Sequence, residues 1–113
     1  MINTKIYGVT GEREAKEFLI KKGYKIVKMN FTCKIGEIDI IAMDKDTLVF
    51  VEVKARNTAM FGLPREAVTA QKQYKIRRIA ELYIQRYSSP DQKVRFDVIE
   101  ILGDKITHLE NAF

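Results

Sequence analysis

Acidic and basic side chains occur on two neighbouring segments of the chain that otherwise carry strand-forming apolar residues. Asp39 lies in the first segment, and Glu52 and Lys54 lie in the second. Two carboxylates and a backbone carbonyl, such as that of Val53, suit a hard cation such as Mg²⁺ or Mn²⁺. Such an ion polarises a phosphate and generates hydroxide from bound water. A neighbouring lysine can orient that water or stabilise charge in the transition state. These are the parts needed to hydrolyse a phosphodiester.

The two segments are predicted to form a β-hairpin with a tight turn at residues 45–46. An even-numbered turn places apolar residues opposite apolar residues along the pair and puts Asp39 opposite Glu52. Carboxylates directly opposite one another repel, which costs up to about 1 kcal/mol. A divalent cation would relieve this repulsion. The alternative is a solvated strand face on which Lys54 pairs with Glu52 and Glu37.

The same register assigns the apolar side chains of the hairpin to two faces of the sheet. It predicts one face made of Ile38, Ile40, Ala42, Val49, Val51 and Val53. The opposite face then carries Ile41, Met43, Leu48 and Phe50 near the turn, and the charged residues farther from it.

Two amphipathic segments supply further candidates. A helix is predicted over residues 10–22, with Gly23 at its end, and Glu12 in its first turn can point toward the sheet. Its carboxylate could instead only complement the helix dipole. A second helix is predicted over residues 64–87, and Lys72 is the only charge in its apolar stripe. That lysine either reaches the site or packs its stem and extends its amine to solvent. The flanking residues that could contact phosphate, or form a solvated face, are Gln71, Lys75, Arg78 and Arg86.

The pattern of apolar residues in the rest of the chain predicts further strands and gives the element order α-β-β-β-α-β(-β). Strands are predicted over residues 24–33, 37–43, 47–56, 94–102 and 105–109. This order favours an α/β fold, with one mixed sheet and helices packed on its faces. If the strands on either side of the second helix are parallel, the connection between them should be a right-handed crossover. The 113 residues correspond to a single domain, 1–113.

Composition narrows the classes of function. The net charge is +5, with an excess of +4 in each of the segments 1–38 and 63–86, which contain the predicted helices. This distribution favours a polyanionic partner. The only cysteine, Cys33, excludes an internal disulfide, and the only histidine, His108, is predicted to be a surface or terminal residue. The sequence shows no signal peptide and no membrane-spanning run, so a cytoplasmic protein without a membrane partner is expected.

Several motifs, in order along the chain, resemble the YraN family of presumed bacterial nucleases. They are Gly11-Glu12, Gly36-Glu37-Ile38-Asp39-Ile40-Ile41-Ala42, Leu48-Val49-Phe50-Val51-Glu52-Val53-Lys54-Ala55-Arg56, Phe61-Gly62, Ala67-Val68, Lys72, Arg95-Phe96-Asp97-Val98 and Asn111-Ala112-Phe113. The family is placed in the PD-(D/E)XK, restriction-endonuclease-like superfamily, near archaeal Holliday-junction resolvases. The resemblance implies a restriction-endonuclease-like α-β-β-β-α-β core. It also implies a site made of Glu12, Asp39 and the Glu52-x-Lys54 pair, with Lys72 and Gln71 as further polar groups. One departure is that Ile38 stands where the superfamily pattern has proline.

The leading interpretation is a Mg²⁺- or Mn²⁺-dependent endonuclease that acts on DNA rather than RNA, with branched or repair intermediates as expected substrates. The expected metal ligands are Glu12, Asp39, Glu52 and the Val53 carbonyl, and the expected catalytic residues are Asp39, Glu52, Lys54 and Lys72. The residues expected to hold the nucleic-acid backbone are Gln71, Lys75, Arg78 and Arg86. A homodimer would suit a substrate with paired strands. The alternatives are a non-catalytic nucleic-acid-binding module on the same fold and a protein-interaction subunit.

Overall fold

A computed structural model describes residues 4–56 and 68–113, with side chains from residue 11 onward. Two helices and five strands follow one another within this part of the chain: α1 (Thr4–Lys21), β1 (Lys25–Thr32), β2 (Glu37–Asp44), β3 (Thr47–Arg56), α2 (Ala70–Tyr87), β4 (Lys93–Leu102) and β5 (Lys105–Leu109). The predicted element order is confirmed. Neither described helix is long and apolar enough to cross a membrane.

Helix α1 begins six residues before the predicted Thr10, so that predicted start is wrong. Its end is as predicted within one residue. The Gly23 N–H donates to the Ile20 carbonyl at 3.0 Å and the Tyr24 N–H donates to the Leu19 carbonyl at 2.9 Å. This is a Schellman motif, and it requires the left-handed conformation that Gly23 adopts at φ +96°.

Helix α2 begins later than its predicted start. Thr69 is its N-cap in an extended conformation, and the Thr69 hydroxyl accepts a hydrogen bond from the Lys72 N–H at 3.2 Å. Val68 and Thr69 are therefore not helical, because the capping residue satisfies a free N–H of the first turn only from outside the helix. Residues 64–67 of the predicted helix lie outside the described residues.

The strands form one mixed sheet in the order β1-β2-β3-β4-β5. All neighbours are antiparallel except β3 and β4, which are parallel. The predicted hairpin register is confirmed from the Asp44–Thr47 pair to the Ile40–Val51 pair. The turn between them contains Lys45 at φ +56°.

The regular pattern changes at Asp39. Beyond the Ile40–Val51 pair, the Asp39 carboxylate accepts a hydrogen bond from the Val53 N–H at 2.8 Å. Ile38 then packs with Ile41 and Phe50, on the face opposite to Ile40. The predicted face for Ile38 is therefore wrong, because strict alternation along β2 does not continue through Asp39.

The outer strand β1 is irregular at two places. Its pairing with β2 shifts between Ile26 and Lys28, which marks a bulge. Asn30 then adopts a left-handed conformation at φ +53°. Asparagine tolerates this conformation better than most residues. Both irregularities lie on an outer edge of the sheet, next to the strand that carries Asp39.

The helices cover opposite faces of the sheet and create two hydrophobic layers. The α1 layer contains Ala15, Leu19, Tyr24, Ile40, Ala42, Val49, Val51, Ile99 and Ile101. The α2 layer contains Ile38, Ile41, Leu48, Phe50, Val68, Ile76, Ile79, Ala80, Tyr83, Phe96 and Val98. The predicted mixed sheet with helices on its faces is confirmed.

The prediction that His108 lies at the surface is wrong. Only 2% of its side chain is exposed, and its Nε2 atom lies 2.7 Å from Asp97 Oδ2. Asp97 also accepts a hydrogen bond from Arg95 Nε at 2.9 Å, so these two residues form an ion pair. His108 is buried because β5 pairs with β4 and brings it next to this carboxylate.

Candidate metal centre and phosphate cleft

Two buried carboxylates meet where β2 and β3 leave their regular pairing. Asp39 is 9% exposed and Glu52 is 8% exposed. The Asp39 carboxyl lies within hydrogen-bonding range of Glu52 and also accepts the Val53 N–H. Burial and the Glu52 carboxyl raise the pKa of Asp39 to about 9, and the Val53 hydrogen bond only partly opposes this rise. The site therefore holds Asp39 where ionisation is costly without a cation.

Three carboxylates converge at Asp39, one from α1 and two from β2. One oxygen atom from each of Glu12, Glu37 and Asp39 lies within 4.8 Å of the other two. Burial and the neighbouring carboxylates raise the pKa of Glu12, although a hydrogen bond from the Asn30 side chain opposes this. The donor set consists of oxygen atoms, which are the ligands that Mg²⁺ and Mn²⁺ prefer, so the residues present fit such an ion.

Two lysines, one from β3 and one from α2, lie close to Glu52. The Lys72 ammonium is 3.1 Å from a Glu52 carboxylate oxygen, and Lys54 lies within hydrogen-bonding range of Lys72. Burial and the adjacent Lys72 lower the pKa of Lys54. Burial also works against the charge on Lys72, but Lys54 and Glu52 outweigh it and raise its pKa. Lys72 therefore retains its proton, whereas Lys54 releases its proton more readily.

An open cleft of about 430 Å³ adjoins these groups. Asp39, Glu52 and Lys72 line it together with Gln71 and Lys75, so five of the predicted site residues share one cavity. The walls also include Glu37, Ile35, Gly36, Thr69 and Ile76. A phosphate that entered this cleft would meet carboxylates on the sheet and amines on α2.

The other two predicted phosphate contacts lie elsewhere on α2. Arg78 Nη1 is 3.4 Å from a Glu81 carboxylate oxygen, in an exposed ion pair. Arg86 lines a separate cavity of about 500 Å³ farther along the helix. Their contact with nucleic acid stays a prediction.

Three residues at the site were not identified as candidates from the sequence. Glu37 appeared only as an ion-pair partner of Lys54, but it joins the carboxylate group with Glu12. Asn30 approaches Glu12, and the Thr32 hydroxyl donates to Glu37 at 3.5 Å. Asparagine's tolerance of left-handed backbone is a weak signal, and nothing in the sequence marks Thr32.

The position of Glu12 depends on a close approach between α1 and β3. A Cβ atom at Gly11 would lie 2.6 Å from the Ala55 Cβ, which is closer than real carbon contacts. Glycine at this position lets the helix backbone pack directly on the strand. Glu12, the next residue, is thereby brought to the carboxylate group.

The profile of a family described as "Uncharacterised protein family UPF0102" matches residues 11–101. The chain belongs to the UPF0102 family. A UPF0102 protein of Caldanaerobacter subterraneus subsp. tengcongensis is 48% identical over 119 residues, which cover 99% of this chain and 98% of that protein. A UPF0102 protein of Caldicellulosiruptor saccharolyticus is 48% identical over 118 residues, and one of Clostridioides difficile is 45% identical over 114 residues. Those alignments cover 99% of this chain and 100% of each relative.

The UPF0102 match confirms the family part of the resemblance to YraN. The matched segment includes every site residue from Glu12 to Arg86. The relation to PD-(D/E)XK nucleases stays a prediction. The relatives are similar to this UPF0102 protein over nearly its whole length, so the similarity extends over the sheet, both helices and the cleft.

Proposed function

We propose that this UPF0102 protein is an endonuclease that hydrolyses phosphodiester bonds of DNA with Mg²⁺ or Mn²⁺. One observation carries the proposal: Asp39, buried beside Glu52, lines an open cleft together with Lys72 and Lys75. A carboxyl group in such a position destabilises the protein when it ionises, and groups with this kind of pKa shift concentrate at functional sites.

The proposed ligands of the metal are oxygen atoms of Asp39 and of the carboxylates around it. Glu12 and Glu37 approach Asp39 within 4.8 Å, and Glu52 lies beside it. The Val53 N–H points to Asp39, and a strand residue directs its N–H and C=O toward the same antiparallel neighbour, so the Val53 carbonyl is a further candidate. When bound, the ion would polarise the phosphate and lower the pKa of a bound water.

The two lysines have different proposed roles. Lys72 keeps its charge beside Glu52 and is suited to contact the scissile phosphate and stabilise negative charge developing on it. The lowered pKa of Lys54 makes its amine better suited to accept a hydrogen bond from the attacking water and orient it. Lys75 and Gln71, on the exposed side of α2, would hold the adjoining backbone.

A second candidate function is nucleic-acid binding without cleavage. The ion pair between Lys72 and Glu52 favours it, because it already neutralises part of the negative charge in the cleft. A binding module would need no metal and would tolerate the loss of the Asp39 charge.

A thermal-shift measurement tests metal binding directly. Mg²⁺ or Mn²⁺ should raise the melting temperature of the wild type, since a ligand that binds only the folded state stabilises it. Asp39→Asn should lose this shift. Asp46→Asn is the matched control, because Asp46 is exposed in the same hairpin and pairs with Lys93 at 2.9 Å. Equal shifts in all three proteins would contradict the metal site.

A cleavage assay tests the activity. Labelled single-stranded, linear duplex, flap and four-way junction DNA, with a structured RNA, should be incubated with and without Mg²⁺ or Mn²⁺. The proposal predicts metal-dependent cleavage of DNA that Asp39→Asn and Glu52→Gln abolish and Asp46→Asn retains. Cleavage that survives the first two substitutions would refute the site. Binding of DNA without cleavage of any substrate would support the binding module instead.

A further inference from the structure

An aromatic pocket lies at the outer edge of the sheet, between β1 and the end of α2. Its volume is about 460 Å³. The residues that line it are Val27, Lys28, Asn30, Phe31, Thr32, Tyr83 and Tyr87. The predicted site did not include this pocket.

Three aromatic rings form the wall of the pocket. The ring centroids of Tyr83 and Tyr87 are 5.0 Å apart, and those of Phe31 and Tyr83 are 5.2 Å apart. Phe31 and Tyr83 also pack in the α2 layer, which fixes their rings. Tyr87 is different because 59% of it is exposed. Val27 is also partly exposed. The pocket therefore offers a rigid aromatic wall with one ring open to a ligand.

The pocket is joined to the carboxylate site through β1. Asn30 and Thr32 line the pocket, while the Asn30 side chain hydrogen-bonds to Glu12 and the Thr32 hydroxyl donates to Glu37. A chain that occupied the pocket would therefore lie next to residues that contact the carboxylate group.

A second route joins the pocket to the cleft along α2. The cavity of about 500 Å³ that Arg86 lines shares Phe31 with the aromatic pocket. The same cavity shares Ile35 with the cleft. The three cavities thus follow one another along the groove between α2 and the β1–β2 connection.

The charge of this groove fits a polyanion. The described residues that line the aromatic pocket and the adjoining cavity include Lys28, Lys34 and Arg86, and none of them is a carboxylate. Aromatic side chains interleaved with basic ones are the combination used to bind single-stranded nucleic acid, in which bases stack and phosphates meet cations.

We propose that the aromatic pocket binds an unpaired nucleobase by stacking on Tyr87, while Lys28, Lys34 and Arg86 contact the backbone of the same strand. The inference rests on the proposed function and makes it more specific. Bases of an intact duplex are stacked on one another and cannot reach the rings. The substrate class is therefore nucleic acid with unpaired nucleotides beside the cleavage point, such as an overhang, a flap or a single strand.

Binding measured in EDTA separates this inference from catalysis. The probe is a single-stranded oligonucleotide carrying 2-aminopurine, whose fluorescence is quenched on stacking, and a blunt duplex of the same sequence is the comparison. The wild type should bind the single strand more tightly than the blunt duplex and quench its fluorescence. Tyr87→Ala should weaken single-strand binding by at least about 5-fold, the lower end of the effect of losing one stacking partner. Tyr87→Phe should restore both affinity and quenching.

Tyr74→Ala provides the matched control. Tyr74 is 65% exposed on the same helix and lines none of the three described cavities. It should leave single-strand affinity and quenching unchanged. Equal effects of Tyr87→Ala and Tyr74→Ala, or equal affinity of the wild type for the single strand and the blunt duplex, would overturn the inference.

The same experiment distinguishes the two proposals. Tyr87-dependent binding with no cleavage of any substrate in Mg²⁺ or Mn²⁺ would support the pocket and refute the nuclease. Cleavage of blunt duplex as fast as of a flap, unaffected by Tyr87→Ala, would support the nuclease and overturn the pocket. If no nucleic acid bound, both proposals would be refuted. The aromatic pocket would then be a candidate site for a protein partner.

Discussion

Asp97 and Asp39 are both buried, but their surroundings shift their pKa values in opposite directions. Asp97 is fully buried, yet hydrogen bonds from His108, Arg95 and the Asn111 N–H outweigh its burial and lower its pKa. Asp39 receives one backbone hydrogen bond and faces Glu52, and its pKa is raised. Burial alone therefore does not decide the charge state of a carboxyl group. Ionised Asp97 stabilises the folded state, whereas ionisation of Asp39 destabilises it.

The raised pKa of Asp39 predicts a specific pH dependence of stability. Without metal, the folded state keeps the Asp39 proton up to about pH 9, whereas the unfolded chain releases it near the ordinary value of 3.8. Between these values the folded state binds more protons, so this group makes the free energy of unfolding fall as pH rises. We expect Asp39→Asn to remove this fall and to be at least about 1 kcal/mol more stable than the wild type at pH 8 in EDTA.

Urea unfolding at pH 5 and pH 8 in EDTA measures this effect. Asp46→Asn serves again as the control, since its exposed carboxylate has a lowered pKa beside Lys93 and should give no such gain at pH 8. A wild type whose stability relative to Asp39→Asn increases with pH would contradict the assignment.

The sequence predicted which residues share the site better than it predicted their positions. Asp39, Glu52 and Lys72 were predicted to share a site, and all three line one cleft. Glu37 and Asn30 were not predicted because their positions depend on the local break in strand pairing and on a left-handed residue. The alternation of apolar and polar residues along a strand predicts neither the break in pairing nor the left-handed residue.

The two helices position the site from opposite faces of the sheet. Helix α1 brings Glu12 to the carboxylate group, and α2 brings Lys72 to Glu52. Strand boundaries agree with the sequence prediction within one residue at each end, because the inner strands are continuous runs of buried, strand-forming residues between turns. Helix starts agree less well, since Thr69 caps α2 so that the helix begins only at Ala70, and α1 begins six residues before its predicted start.

The contact between α1 and β3 gives a prediction at this scale. Gly11→Ala should destabilise the protein by about 1 to 3 kcal/mol, because the added methyl group would overlap Ala55. The same substitution in an unhindered helix would instead stabilise it. Chemical denaturation measures the difference, and the metal-induced shift in melting temperature should fall in parallel as Glu12 moves away.

A compensating substitution makes this test selective. Ala55→Gly removes the methyl group on the opposing strand, so the double variant Gly11→Ala/Ala55→Gly should recover most of the stability lost by Gly11→Ala. A coupling energy near zero in this double-mutant cycle would show that the two positions do not limit the approach.

Over the whole molecule, the positive charge is separated from the acidic site. The segments that contain the helices each carry an excess of +4, while the carboxylates of the site gather on β2, on β3 and in the middle of α1. This arrangement places cations along the groove and the candidate metal ligands in its interior. The sequence predicted the charge separation, but the sharing of walls between successive cavities depends on tertiary packing.

This charge distribution predicts the salt dependence of DNA binding. If the six proposed phosphate contacts each neutralise one phosphate, the logarithm of the association constant for single-stranded DNA should fall with a slope of about −4 against the logarithm of salt concentration. These contacts are Lys28, Lys34, Lys72, Lys75, Arg78 and Arg86. Lys75→Gln should reduce the slope by about 0.7, because one fewer counterion is released. A salt titration of fluorescence anisotropy measures it.

The control for this prediction is a lysine at the far end of the sheet. Lys93→Gln removes an equal charge where β4 begins, beside Asp46 and away from the cleft. It should leave the slope unchanged. An equal reduction by both substitutions would indicate a diffuse attraction rather than a bound path along α2.

The irregular β1 strand has a consequence for association between molecules. An outer strand with a complete row of N–H and C=O groups can pair with a strand from another copy and start a fibril. The bulge at residues 26–28 and the left-handed Asn30 interrupt that row. The residue that supports Glu12 thus also makes this edge a poor template, so the molecule gains resistance to fibrillar aggregation from the same local distortion that builds its site.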